Sequence, residues 1–331
     1  MIKIHILLIL SSFFMFSCDK TMKKEENKEI IPDRILKKCI KKNFKGKLTK
    51  NNLLKVKKFS CTGKDGLIKN FKGIKLLKNV EYFNMNSQNL VDLDLVENMV
   101  KINNLNLSYN HIVDISKIKK LLKIKKLNLK YNEIKDITAF IHLKNLGYLN
   151  IEYNMIKDIS PLSKMINLTK VDLEYNRIKE IPDFSNLKKL SWLDLTTNEL
   201  KKLDNLKTLV NITSLYLSEN KLNNIPDLSD LAKLKTLNVQ FNNLKNLEFI
   251  KNNINLEHLD LEANKFKDIS YLSNFKKLTW LDLDDNNVEE ITPLLSLEKL
   301  KKLYVKNNCI KDFKNLKIRY IKGKKEQKDC E

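Results

Sequence analysis

Between residues 80 and 313, apolar and polar positions recur with a fixed period of 22 residues. The clearest unit is residues 124–137, IKKLNLKYNEIKDI, with apolar residues at positions 1, 4, 6, 11 and 14 and asparagine at position 9. First positions fall at Val80, Ile102, Ile124, Leu146, Leu168, Leu190, Ile212, Leu234, Leu256, Leu278 and Leu300, giving eleven copies without insertion or deletion. Position 9 is Asn in ten of the eleven, with Gln88 the exception, and position 17 is apolar in every copy. So strict a register is an internal repeat, and repeats of this length stack as a solenoid.

The spacing within a unit predicts its local structure. Apolar positions 4 and 6 alternate with polar 3, 5 and 7, the mark of a short strand with one buried face. Strands at the same place in successive turns stack as a parallel sheet lining the concave side of a horseshoe. The chain then bends inward, and the position-9 amide, with donors and an acceptor, suits a ladder bonding buried backbone from turn to turn. Only eight residues separate position 14 from the next first position. That is too few for a long helix, so short 3₁₀ or extended segments are expected on the convex side.

This is the leucine-rich-repeat pattern L-x-x-L-x-L-x-x-N-x-[IL]-x-x-I. In its 22-residue form it resembles the internalin class of bacterial surface proteins and the Sds22-type phosphatase regulators. The run Asp158-Ile159-Ser160-Pro161-Leu162 is particularly internalin-like. The resemblance implies an α/β fold class: a right-handed leucine-rich-repeat solenoid with a parallel concave sheet and a helical N-terminal cap. It also implies binding through the concave face, without naming a partner.

The positions that the repeat leaves free carry the candidate chemistry. Columns 3, 5, 7 and 8 contain ten acids and five lysines, on a chain whose net charge is +22. The basic excess therefore belongs to the convex side, the edges and the tails. Position 3 supplies Tyr148, Trp192, His258 and Trp280; position 5 supplies Asp172, Asp194, Tyr216, Asp260 and Asp282; position 7 supplies Glu152 and Glu174. Position 8 contains Tyr109, Tyr131, Tyr153 and Tyr175 in four consecutive repeats. Aromatic side chains among charges on an exposed sheet are typical of protein-binding hot spots. The tyrosines can equally stack on one another along the sheet edge, and the acids can pair with lysines such as Lys170.

Outside the repeats, residues 1–17 read as a signal peptide, with Lys3 followed by an apolar run. That run is about a dozen residues, short of the roughly 20 that span a bilayer as a helix. Cys18 with Asp19-Lys20 after it looks like a bacterial lipoprotein signal, although Met15 and Phe16 depart from the usual residues and only Ser17 conforms. Lipidated Cys18 and a charged tether would occupy residues 18–30, and a simple cleaved signal is the alternative. Residues 31–56 form a helical N-terminal cap starting at Pro32-Asp33, residues 57–79 a degenerate first repeat, and residues 314–331 a C-terminal cap ending in an unstructured basic tail. Cys39 can pair with Cys61, and Cys309 with Cys330; the alternative for Cys39 and Cys61 is two small buried hydrophobes.

No catalytic constellation is present. His5, His111, His142 and His258 are isolated by the register, and hydrolase, zincin and phosphate-loop motifs are absent. No enzyme activity, cofactor or metal is expected; the loop after the cap helix, Phe44-Lys45-Gly46-Lys47-Leu48, lacks carboxylates for calcium. Lysines without interleaved aromatics argue against nucleic acid as the partner, and contact with anionic lipid or glycan is the alternative use of the charge. The sequence thus predicts a monomeric, exported, membrane-anchored protein at the cell surface or in the periplasm, binding another protein through its concave face. A structural envelope component contacting lipid or wall polymer is the alternative; the export signal argues against an Sds22-like intracellular regulator.

Overall fold

The computed structural model describes residues 29–329. The expected signal peptide, lipidated Cys18 and Cys330 lie outside the described residues.

Thirteen parallel strands form one sheet in simple chain order. Each is three residues long and occupies positions 3 to 5 of its unit, as in β4 (Lys126–Asn128), β5 (Tyr148–Asn150) and β6 (Lys170–Asp172). Pairing keeps the sequence register, with Lys126 facing Tyr148 and Tyr148 facing Lys170. Columns 4 and 6 point inward, and Leu127, Leu149 and Leu193 are wholly buried. No coil could bury its apolar residues alone, so neighbouring coils share one continuous core. This is the horseshoe solenoid that the period implied.

The asparagine ladder forms as expected. Asn132 illustrates it: Oδ1 accepts from the Ile112 N–H at 3.0 Å, while Nδ2 donates to the Leu107 and Leu129 carbonyls at 3.1 and 2.9 Å. Each rung therefore ties its own bend to the preceding coil. On the convex side 3₁₀ turns recur at positions 15 to 19, including Ser116–Lys120, Thr138–His142, Ser160–Lys164 and Ser270–Asn274. Asp114, Asp136, Asp158 and Asp268 each accept the N–H two residues on, at 2.7–2.8 Å. These side-chain turns give the Asp-Ile-Ser/Thr sequence its physical reason.

The core has one more column than the sequence reading assigned. Position 20, including Leu121, Leu143, Met165, Leu231 and Phe275, is fully buried. Asn253 is its polar exception. Its Nδ2 bonds the Leu228 and Leu231 carbonyls, while its buried Oδ1 has no partner.

Segments outside the regular repeats finish both ends of the solenoid. Helix α1 (Arg34–Asn43) starts at Asp33, whose Oδ1 accepts from the Leu36 N–H at 2.8 Å. The other Asp33 oxygen accepts from Lys69 and Asn70, tying the helix to the degenerate coil. Leu36, Cys39 and Ile40 are buried against β1 (Lys58–Ser60), and Cys39 is disulfide-bonded to Cys61. Thr49 caps the single turn α2 (Lys50–Leu53).

At the other end the expectation of an unstructured tail is corrected. β13 (Tyr320–Lys322) pairs in parallel with β12 (Lys302–Tyr304), four residues short of a full repeat. Gln327 then acts as a further rung, accepting from Ile310 N–H and donating to Val305 O. Gln88 does the same at the first repeat, receiving Ile68 N–H and donating to Gly66 O. Glutamine's longer arm fits where the coil is irregular, and β13 adds one short paired strand before the sheet ends. Among the described residues, no helix is long and apolar enough to cross a membrane.

Candidate binding wall on the concave face

Because the strands stack in register, residues of one column become spatial neighbours about 4.8 Å apart. Columns 3, 5 and 7 form the concave wall, but they lie deeper than the alternation suggested. Glu152 and Asp282 are buried, and Asp172, Glu174, Asp194 and Asp260 are half-buried. Curvature explains this: side chains on the inside of a horseshoe crowd one another.

Trp192, on β7 (Trp192–Asp194), is half-buried rather than freely exposed. The Lys170 ammonium lies 3.6 Å from its ring centroid, and Tyr216 packs on it at 5.3 Å with a 48° tilt. Tyr148 is separated from Trp192 by the Lys170 strand, so of the two expected companions Tyr216 makes the ring contact. Lys170 is thus engaged as a cation over an aromatic face, while Asp172 accepts from Asn150 Nδ2 at 3.1 Å.

The same arrangement occurs a second time. Trp280, on β11 (Trp280–Asp282), meets Tyr304 at 5.7 Å with a 50° tilt, and Tyr304 meets Tyr320 at 5.7 Å. Residues 185–195, SNLKKLSWLDL, and 273–283, SNFKKLTWLDL, differ at only two places. Asp172, Glu174, Trp192, Asp194 and Tyr216 therefore have counterparts four repeats later in Asp260, Glu262, Trp280, Asp282 and Tyr304. Four strand spacings put the two modules about 19 Å apart. Where Lys170 covers the first tryptophan, the second is faced by the exposed His258.

Both modules hold carboxylates against their ordinary ionisation. Burial, then the charges of Asp194 and Glu152, pushes Asp172 up to about 6. Burial, then Glu152, Asp194 and Asp172, pushes Glu174 up to about 7. In the second module burial and the neighbouring acids raise Asp260 to about 6 and Asp282 to about 7. Asp194, Glu262 and Asp284 are raised as well, burial being the largest cause for each. Carboxylate oxygens of Glu152, Asp172 and Glu174, and of Asp260, Glu262 and Asp282, come within 4.8 Å of one another. Such oxygens are of the type that hard divalent cations take, and a cationic side chain would satisfy them equally. Cys39, Cys61 and Asp65 also converge, but the two sulfurs are committed to the disulfide.

The tyrosine column does stack. Tyr109, Tyr131, Tyr153 and Tyr175 follow one another with ring centroids 4.7, 4.0 and 4.0 Å apart and planes within 13°. The faces of the inner rings are therefore occupied by one another, and the edges remain accessible. Burial, then hydrogen bonds with Tyr131 and Tyr175, holds the Tyr153 hydroxyl well above the ordinary tyrosine range. Lys130 reaches over Tyr131 and Tyr153 and pairs with Glu152 at 2.6 Å. Position 8 also turns out to be left-handed in every repeat, with φ of 50–56° at these four tyrosines. Asparagine or glycine would adopt this conformation more readily, so the sequence accepts strain to place rings there.

Leucine-rich repeats are matched by the corresponding family model at residues 122–164 and 276–317. An internalin, InlF from Listeria monocytogenes, superposes with a TM-score of 0.76, at 24% identity over 88% of this chain and 95% of its own. The chain has an internalin-like leucine-rich-repeat fold. A leucine-rich-repeat protein of Leptospira interrogans aligns with a TM-score of 0.61, at 25% identity over 77% of this chain and 76% of that one. The plant peptide-hormone receptor RGFR1, solved in complex with RGF2, aligns with a TM-score of 0.61 and 23% identity, over 71% of this chain and 41% of the receptor. A search of curated protein sequences found no match. The leucine-rich-repeat wall is thus related to these proteins in fold, and its duplicated modules are features of its own sequence.

Proposed function

We propose that this leucine-rich-repeat chain is an exported protein, anchored through a lipidated Cys18, that binds another protein through its concave wall as a surface adhesin or receptor-binding protein. One observation carries the reading. An aromatic pair flanked by half-buried acids occurs twice on a rigid sheet, at the same strand positions and with nearly the same ring geometry. A tryptophan–tyrosine pair supplies large contact area at small entropic cost, and the stacked sheet preorganises it. The acids favour partner residues that bring positive charge, because a cation would replace the protons they otherwise take up. Two structures of similar fold were solved as complexes, the peptide-hormone receptor RGFR1 with RGF2, and LRIM1/APL1C.

Within this reading residues 1–17 direct export, residues 18–30 tether the domain, residues 31–56 cap it, and residues 57–313 display the wall. The protein acts by binding rather than by catalysis, as a monomer. The test compares capture from host-cell-surface and bacterial-envelope extracts by the wild-type chain and by a Trp192→Ala/Tyr216→Ala variant. The fold should be unchanged and affinity for the captured protein reduced at least tenfold. Unaltered affinity would place the site elsewhere. Protease access on intact cells separates an outward-facing adhesin from a periplasmic scaffold.

A further inference from the structure

The lateral edge that leads into the strands, formed by positions 21 and 22, is as ordered as the wall and has the opposite charge. Position 21 holds Val100, Leu122, Ile166, Val210 and Ile254, which are 40–55% exposed. Leu54 of the cap, 38% exposed, extends the row. The remaining places in it include the exposed lysines Lys144, Lys188 and Lys276. Between residues 78 and 299, positions 21 and 22 together contain ten lysines and one carboxylate, Glu298.

This row is stacked by its own ladder. Asn145, Asn167, Asn211 and Asn255, all at position 22, donate to the position-21 carbonyls of the preceding coils at 2.8–3.0 Å. Lys189, Lys233 and Lys277 each donate in turn to the asparagine one coil back. These three ammonium groups are thereby laid along the edge at intervals of two coils, about 10 Å. The aliphatic side chains stand beside them in solvent. Two carboxylates stand beside this edge, Glu81 near Lys101 and Lys123 and Glu257 near Lys277, and leave lysine in excess. The opposite edge pairs lysines with acids at Lys179–Glu199, Lys202–Glu180 and Lys267–Glu289.

We infer that this edge docks on the headgroup region of an anionic lipid bilayer. The lysines answer the phosphate charge, and the protruding aliphatic residues enter the interface between headgroups. A soluble polyanion would use the lysines alone and leave the apolar row unexplained, whereas isolated apolar residues without a basic rail would show no preference for lipid charge. Docking by this edge would hold the solenoid side-on and leave the concave wall open. The inference does not rest on what the wall binds.

The test is co-sedimentation of the full-length chain with vesicles of phosphatidylcholine alone and of equal parts phosphatidylcholine and phosphatidylglycerol. The first vesicle sets the baseline contributed by the apolar N-terminal segment. At least tenfold stronger binding to the anionic vesicles is expected, with hydrogen-exchange protection appearing around residues 120–125, 164–169 and 252–257. Lys189→Glu/Lys233→Glu/Lys277→Glu should return binding to the baseline. Leu122→Ser/Ile166→Ser/Ile254→Ser should weaken it at least fivefold without altering binding to heparin. Equal partition to both vesicles would overturn the inference. So would an aliphatic triple variant that binds anionic vesicles like the wild type, which would make the edge a polyanion surface instead.

Discussion

The modules around Trp192 and Trp280 are built from nearly the same residues, yet their surroundings differ. Lys170 lies on the face of Trp192, and the tyrosine stack runs up to the neighbouring coil at Tyr175. Trp280 has the exposed His258 at the equivalent place, and its partner Tyr304 is backed by Tyr320 from the closing strand. The first tryptophan is therefore already engaged by a cation, which a partner docking there as proposed would have to displace or bypass. The second has the imidazole of His258 in that position instead of an ammonium. Equal sequence at the contact points need not give equal affinity, because each ring's availability is decided by the coil before it.

The spacing of the modules depends on the three coils between Trp192 and Trp280, and that is where the largest effect lies. Asn242→Ala strips Oδ1 from the N–H groups of Asn220 and Leu222. Leaving two buried donors unpaired should cost about 3 kcal/mol. Chemical denaturation measures it, and a loss under about 1 kcal/mol would mean that the ladder is ornamental to stability.

The modules themselves come next. Trp280→Ala/Tyr304→Ala should reduce partner affinity more than Trp192→Ala/Tyr216→Ala, and at least twentyfold. Binding calorimetry on both variants ranks them, and a reversed order would assign Lys170 a helping rather than a covering role. Combining all four substitutions should approach the product of the two effects if the partner spans both modules.

Stability should depend on pH through both modules together. Their raised acids protonate in the folded chain at about 6 to 7, against ordinary values of 3.8 and 4.5. Groups raised in this way stabilise the fold fully below pH 4 and lose that contribution as pH rises through 6 to 7. The chain should melt a few degrees higher at pH 5 than at pH 8, while a cationic partner binds more tightly at pH 8. Asp172→Asn/Asp282→Asn should flatten the melting profile, and an undiminished slope would locate the titrating groups elsewhere.

Smaller effects refine the picture. Asn253→Leu, between the modules, removes a buried oxygen without a partner and restores the apolar column, while the two carbonyls that lose Nδ2 keep backbone donors, so a gain of up to about 1 kcal/mol is expected by denaturation. Tyr153→Gly relieves a left-handed backbone worth about 1–2 kcal/mol but loses two ring stacks of about 0.5–1.5 kcal/mol each. The net change should lie between a gain of about 1 and a loss of about 2 kcal/mol, and a larger loss would show that the stack contributes more than its ring contacts.

The sequence carried the architecture because one period governed it. The strands, the asparagine ladder, the 3₁₀ turns and the cap helix at Asp33 followed from spacing and residue type, whereas the Cys39–Cys61 bond was one of two open readings that only the geometry decides. Position 20 escaped notice because Asn253 interrupts it and the convex segment has no short alternation to reveal it. The left-handed turn at position 8 was hidden by tyrosines standing where Asn or Gly would have signalled it. Gln327 was obscured by a lysine-rich context, since composition suggested a solvated tail while one side chain decided otherwise. The depth of the acids could not be read from alternation, which says which face a residue is on but not how curvature crowds it. The two modules were legible throughout and would have emerged from comparing repeats four steps apart.

The proposed function requires that the two modules of the concave wall, alike in sequence but unequal in surroundings, both contact one protein partner. The decisive measurement is the affinity of the captured partner for the wild type, each paired alanine variant and the variant carrying all four substitutions. Each pair should weaken binding at least tenfold, and the four together by well over a hundredfold, with melting temperatures unchanged. Wild-type affinity in all three variants would contradict the claim.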